Sequence, residues 1–454
     1  MKRKLLLLSI LVSGALASNA QWNIQAAGFS AASRGINNIH AVDSNVVWAV
    51  AYDGTSANLK VREFTRTNNA GATWNPGKIT GTGVVTTMEI ANISAVDFDT
   101  AYASLYPNTG TAQGIFKTTN GGTSWTKMVT GYTSASFVNV VHMFNAKDGF
   151  AQGDPVGGYF ELYTTSNYGN TWTRVPQANI PAPLSGEYGI VGYFSALDST
   201  IRFSTNKSRV YKSTDLGMTW TVSTTPVPVT ANGVSIPALA FKDAMNGLAV
   251  ASNDDGSYIL TTSDGGDNWV ILNDSTAGDV YNWNDISYVP GTAGTYFITS
   301  AHFDTSDPNV GGKGSSYSTN DGNSWTNIDK EQRTAVAFAN INNGWAGAFS
   351  TNATTGGIFK WGAPATVGVN SVKKDNKAIS VFPNPTNNGV ISLQIKADDV
   401  NARVRVYDLM GRVVLAENVT AATATLDLSA QAKGMYIVEV SNNGVISAQK
   451  LVIE

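Results

Sequence analysis

Four acidic residues, Glu89, Asp154, Glu187 and Asp285, are the side chains from which a hydrolytic centre could be assembled. Cleaving a glycosidic bond takes two carboxylates about 5 to 9.5 Å apart, one protonating the leaving oxygen and one acting as base or nucleophile. Tyr281 and Trp283 offer flat faces on which a sugar ring can stack, and Tyr188, His302, Asp304 and Arg333 are further loop candidates for ligand binding. Each also has a plainer reading, as a solvated loop residue or as filling for a channel. Glu187 and Tyr188 are adjacent, and adjacent residues on a strand point to opposite faces, so they do not form one centre together.

Other chemistry finds less material. The chain has no cysteine, which excludes disulfides, thiolate nucleophiles and thiolate metal sites. His40, His142 and His302 are its only histidines and lack the paired spacing of a zinc site. Asn253-Asp254-Asp255-Gly256 and Asp304 to Asp307 are acidic enough for calcium, but neither follows the twelve-residue calcium loop. No cofactor is expected. A formal charge of -3 gives no global attraction to nucleic acid.

These residues lie in a repetitive frame. One eight-residue phrase, Ser/Thr, any, Asp/Asn, any, Gly, any, Ser/Thr, Trp, occurs six times, its Trp falling at 74, 125, 172, 220, 269 and 325. The Asx residues are Asn69, Asn120, Asn167, Asp215, Asp264 and Asn320, and the closing residues are Trp74, Trp125, Trp172, Trp220, Trp269 and Trp325. The phrase suits a tight turn between strands: the Asx side chain accepts backbone N–H groups, Gly takes a conformation closed to other residues, and Trp anchors the outgoing strand. A second text inside each unit, such as Ile39-His40-Ala41-Val42-Asp43 followed by Val47-Trp48-Ala49-Val50, reads as a hairpin. A period near fifty residues with four strands per unit predicts propeller blades.

The ends complete the count. Gly357-Ile358-Phe359-Lys360 matches the third strand of a blade, Gly114-Ile115-Phe116-Lys117, with no phrase after it, and Gln21-Trp22-Asn23-Ile24 matches an outgoing fourth strand. An all-β, seven-bladed propeller over residues 21–363, closed by its N-terminal strand, is expected. The phrases then occupy the rim opposite the loops that enter the first strand and leave the second, where ligands are to be sought.

The phrase resembles the Asp-box, or BNR, repeat of sialidases, sortilin-like receptors, some xyloglucan-cleaving hydrolases and the exported photosystem assembly factor family. Asn replaces Asp in four copies, and Asn268 stands where Ser or Thr is usual. The resemblance to sialidases stops at the repeat: their Arg-Ile-Pro motif is absent, Ser235-Ile236-Pro237 being the nearest text, and seven blades depart from their six. The xyloglucan-cleaving relatives hold their cleft between two propellers, and one propeller lacks it.

Residues 364–377 read as a linker, and 378–454 as a small β-sandwich. That last stretch resembles the type A sorting domain of the type IX secretion system of Bacteroidetes, through Phe382-Pro383-Asn384-Pro385, Gly389, Val406-Tyr407-Asp408-Leu409-Met410-Gly411-Arg412, Leu428-Ser429, Gly434-Met435-Tyr436 and Gln449-Lys450-Leu451-Val452-Ile453. The resemblance implies export across both membranes by that machinery, handling by its sorting peptidase, and release or attachment at the outer surface. Lys2-Arg3-Lys4, an apolar run from Leu5 to Leu16 and small residues before Ala17 or Ala20 read as a signal peptide over residues 1–20. No other stretch would span a membrane as a helix. The expected function is a secreted or surface-bound binding or adhesion module for glycan or protein, with a polysaccharide hydrolase and an envelope assembly factor as alternatives.

Overall fold

The computed structural model describes residues 22–57, 59–107, 113–128, 130–274, 284–301, 313–362, 379–395, 402–408, 413–442 and 445–454. The chain divides between Pro364 and Ala365 into two compact units, each described by itself. The linker expected over 364–377 lies outside the described residues.

The first unit is a ring of seven four-stranded antiparallel blades. Blade 1 consists of Arg34–Ala41, Val47–Asp53, Glu63–Thr67 and Asn75–Lys78, and blades 2 to 6 repeat that order. Second strands are apolar on both faces because neighbouring blades cover both; Val47, Trp48, Ala49, Val50 and Ala51 are all buried. Blade 7 takes Val336–Asn340, Asn343–Asn352 and Thr355–Trp361 from the end of the ring and Trp22–Ala26 from its start, with Trp22 paired to Trp361 and Ala26 to Gly357. The expected closure is therefore present, and it covers an edge that would otherwise be open to pairing.

Each eight-residue phrase forms one hydrogen-bonded box on the lower rim, between third and fourth strands. Thr118 Oγ1 accepts the Gly122 N–H at 2.8 Å and donates to Asn120 Oδ1 at 3.0 Å, which accepts the Ser124 N–H at 3.0 Å. The same Ser/Thr-to-Gly bond closes the other five boxes. Asn serves as well as Asp because only Oδ1 is needed. The second atom adapts: Asn120 Nδ2 donates to Ser124 Oγ, whereas Asp264 Oδ2 accepts from Asn268 Nδ2, both at 2.8 Å. Asn268 in the Ser/Thr place is thus matched to an Asp in the Asx place.

The box is also a joint between blades. A side chain at Gly122 would overlap Phe64 of blade 1, at Gly169 Tyr102 of blade 2, at Gly217 Phe150 of blade 3, at Gly322 Leu248 of blade 5, and at Gly71 it would crowd Trp345 of blade 7. The missing Cβ lets the preceding blade tuck a large side chain beneath the turn. Cations reinforce the joint, as Lys117 Nζ to the Tyr168 carbonyl at 2.9 Å and Arg202 Nε to the Gly265 carbonyl at 2.9 Å. Blade 7 has no box, and Phe297 of blade 6 meets aromatic rings there instead: Phe338, Trp361 and Trp22 at 4.4, 4.9 and 6.1 Å.

The second unit packs a three-stranded sheet, Ile379–Phe382, Val390–Ile395 and Thr423–Asp427, against a four-stranded one, Val413–Val419, Ala402–Tyr407, Gly434–Asn442 and Val445–Ile453. Alternate residues such as Val404, Val406, Val438, Val440 and Leu451 fill the shared core. The Phe-Pro-Asn-Pro segment pins the last strand: Asn384 Oδ1 accepts the Val452 N–H at 3.0 Å, and Thr386 exchanges backbone bonds with Val452 and Glu454 at 2.9 Å. Residues 409–412 of the sorting-domain resemblance lie outside the described residues.

Candidate functional site

The upper rim carries the loops that lead into first strands and join second to third strands. Glu89 opens the first strand of blade 2 and pairs with Lys60 at 3.1 Å. Asp154 ends the second strand of blade 3, where its Oδ1 accepts from Asn139 Nδ2 at 2.7 Å and from the Gly189 N–H at 3.0 Å. Burial, and repulsion from Glu161, push its carboxyl up to about 6 against the pull of those two bonds.

Glu187 lies in the long segment that leads into blade 4. Its side chain is fully buried and pairs with Arg209 at 2.7 Å, while Thr205 Oγ1 and the Leu184 N–H each donate to it at 2.7 Å. Tyr188, next to it, is 48% exposed, so the two side chains diverge as strand geometry predicts. The segment is held from below by a buried ion pair and shows Leu184 and Tyr188 to solvent.

Asp285 is not on the rim. It begins the first strand of blade 6, which faces the central channel, and its Oδ2 accepts the Val336 N–H of blade 7 at 2.9 Å. Asn38 Oδ1 accepts the Ile93 N–H of blade 2 at 3.2 Å, and Asn92 Oδ1 accepts the Val141 N–H of blade 3 at 2.9 Å. Asp285 therefore latches the first strand of blade 6 to that of blade 7 as Asn38 and Asn92 latch blades 1 and 2 to the blades that follow them. Arg333 is likewise structural: it is buried, bonds Asp329 at 2.9 Å and stacks over Phe359 at 3.7 Å beside the closing strand. Tyr281, Trp283, His302 and Asp304 lie outside the described residues.

Glu89, Asp154, Glu187 and Asp285 thus come from blade 2, blade 3, the lead-in to blade 4 and blade 6, and each is engaged by protein groups. Sequence reasoning did not single out Glu161, the carboxylate coupled to Asp154. It is 1% exposed, with Tyr163 donating to it at 3.4 Å and the Arg174 guanidinium forming an ion pair with it at 4.0 Å, and burial raises its pKa. Its place in a strand among apolar residues hid it; the signal was an acidic residue at an inward position of Phe160–Thr165.

Asn253-Asp254-Asp255-Gly256 is a hairpin turn, with Asn253 Oδ1 accepting from Asp255 and Gly256 and Asp254 taking the Asn232 side chain. Among the described residues no three His, Asp or Glu side chains gather as metal ligands would. His40 and His142 hang from the first strands of blades 1 and 3, and burial lowers them to about 4 and about 3. The channel widens at its lower mouth into a cavity of about 500 Å³ between blades 4, 5 and 6, lined by Phe194, Leu197, Leu239, Phe241, Ile286 and Tyr288 among others. The first strand of blade 4 spans only Ser195–Leu197, which leaves this space. Among the described residues no helix is long and apolar enough to cross a membrane.

Residues 380–454 match the family described as the secretion system C-terminal sorting domain, and residues 84–282 match the photosynthesis system II assembly factor YCF48 family. Two solved structures share the propeller fold: YCF48 bound to D1 peptide, 16% identical, covering 78% of this chain and 98% of that one with a TM-score of 0.52, and YCF48 from Cyanidioschyzon merolae, 13% identical, covering 75% and 98% with a TM-score of 0.52. No curated protein matches the sequence. The chain is a seven-bladed β-propeller followed by a β-sandwich that matches the secretion system C-terminal sorting domain family.

Proposed function

We propose that the exported propeller is a non-catalytic binding module whose upper rim holds a protein or glycan partner outside the cell. One observation carries this reading: the four carboxylates suited to hydrolysis are each bonded to protein groups that position loops or join blades. A glycosidase acid must reach the glycosidic oxygen, and a Glu187 locked to Arg209, Thr205 and the Leu184 amide does not. Asp154 and Glu161 resemble an acid pair in their raised pKa values, but Glu161 is sealed from solvent.

The same network makes Leu184 and Tyr188 a preformed contact, with the ordering cost met within the fold. The assembly-factor family match, and a related fold solved with a peptide, favour a polypeptide partner over a glycan. The third strand of blade 7 ends at Trp361, on the rim opposite these loops. The test is a pull-down of outer-membrane proteins with the exported chain, alongside a glycan array. A defined protein complex lost in Tyr188→Ala but retained in Met218→Ala, on the lower rim, supports the reading. Binding untouched by upper-rim changes counts against it.

A further inference from the structure

Three polar side chains of blade 3 crowd a single glycine. Asn139 sits at the bulge in the blade's first strand, between Val138 and Val140, and Gln152 and Asp154 lie in its second strand. Asn139 and Gln152 are 0% exposed, whereas Asp154 is half-buried. A Cβ on Gly189 would overlap Gln152 Nε2 and lie 3.1 Å from Asn139 Nδ2, so both amides meet at that point. The Gly189 N–H donates to Asp154 Oδ1 at 3.0 Å. Its missing side chain is what leaves room for the three.

The orientation of each amide is set by what it donates to. Asn139 Nδ2 bonds Asp154 Oδ1 at 2.7 Å and Gln152 Nε2 bonds the Gly153 carbonyl at 3.1 Å, and turning either amide over would press two acceptors together. Asn139 Oδ1 and Gln152 Oε1 therefore stay where they are, buried and without a hydrogen-bond partner among the described residues. Leaving a buried carbonyl oxygen so is costly, and both oxygens call for a positive or donating group. The two hydrogen bonds that Asp154 receives end on Oδ1, which leaves Oδ2 as a further acceptor on the side chain that reaches solvent. We propose that Asp154, Asn139 and Gln152 form a calcium site. One carboxylate and two amide carbonyls are hard oxygen donors, which calcium accepts in a flexible shell completed by water, whereas magnesium gives up its water reluctantly. A single negative charge sets a weak affinity, with Kd about 0.1–1 mM, the range of extracellular calcium modules.

The ion ties the two inner strands of blade 3 to the segment that carries Tyr188, and the site does not depend on what the upper rim binds. Calorimetric titration of the full chain with calcium chloride, after removal of metal with a chelator, tests it. Saturable binding in that affinity range is expected. Asp154→Asn removes the charge and Gln152→Met removes a carbonyl oxygen at similar volume, and each should weaken binding by at least about tenfold. Asp254→Asn, in the hairpin turn of blade 5, should leave it unchanged. Tryptophan fluorescence checks that each variant is folded. Absence of saturable binding in the wild type at about 10 mM calcium, well above the expected Kd, means that water serves the two oxygens and overturns the proposal. Equal binding by the wild type, Asp154→Asn and Gln152→Met means an adventitious ion only, and overturns it as well.

Discussion

The two rims of the propeller solve the same problem in different ways. On the lower rim one hydrogen-bonded box, repeated six times, joins each blade to its predecessor. On the upper rim the polar side chains follow no common pattern, and each loop has its own partners, such as Arg34 with Asp53 and Glu63, Lys60 with Glu89, and Arg209 with Glu187. Carboxylates on both rims answer to their own settings: on the lower rim Asp264 is held down to about 2, first by the Asn268 backbone bond and then by its side chain, while on the upper rim the Leu59 backbone bond leads in lowering Asp53 and burial raises Asp154. Repetition marks the part that builds the ring, and irregularity marks the part free to specialise.

Substitutions should sort by rim. The largest effect is expected where the repeat is interrupted. Trp22→Ala removes the ring that packs on Trp361 at 5.0 Å and bonds Ser315, and should cost about 3–5 kcal/mol by denaturant unfolding. A loss below 1 kcal/mol would mean that the aromatic cluster does not replace the seventh box. Next comes the upper rim: Glu187→Gln leaves Arg209 buried and unpaired, at about 3 kcal/mol. Pairing it with Arg209→Met should recover part of that loss, and a double variant worse than the sum would refute the structural role given to this pair. The smallest is Asn120→Ala, which loses bonds on an exposed turn and should cost about 1 kcal/mol while leaving partner binding intact.

How far the sequence was legible follows the same division. The boxes, the blade period and the N-terminal closure could be read because each depends on local turn chemistry and on strand patterns that repeat in register. The joint made by the box could not, since Gly217 and Phe150, or Gly169 and Tyr102, meet only when separate blades pack. The C-terminal strands 413–419 and 445–453 went unread because their alternation is interrupted by residues such as Ala416, Glu417 and Gln449. The candidate carboxylates were expected in loops, yet Glu89, Asp154 and Asp285 lie in strands, and their partners are remote in sequence: Arg209 lies 22 positions from Glu187 and Val336 lies 51 from Asp285. No local spacing rule reports a partner at that distance.

The account's central claim is that the upper-rim carboxylates hold structure and do no chemistry. Reducing-sugar release by the exported protein, measured on a panel of polysaccharides beside Asp154→Asn and Glu187→Gln with their melting temperatures, tests it most directly. The account predicts no turnover by the wild type and lowered stability in Glu187→Gln. Turnover abolished by either substitution, with the melting temperature unchanged, would contradict it.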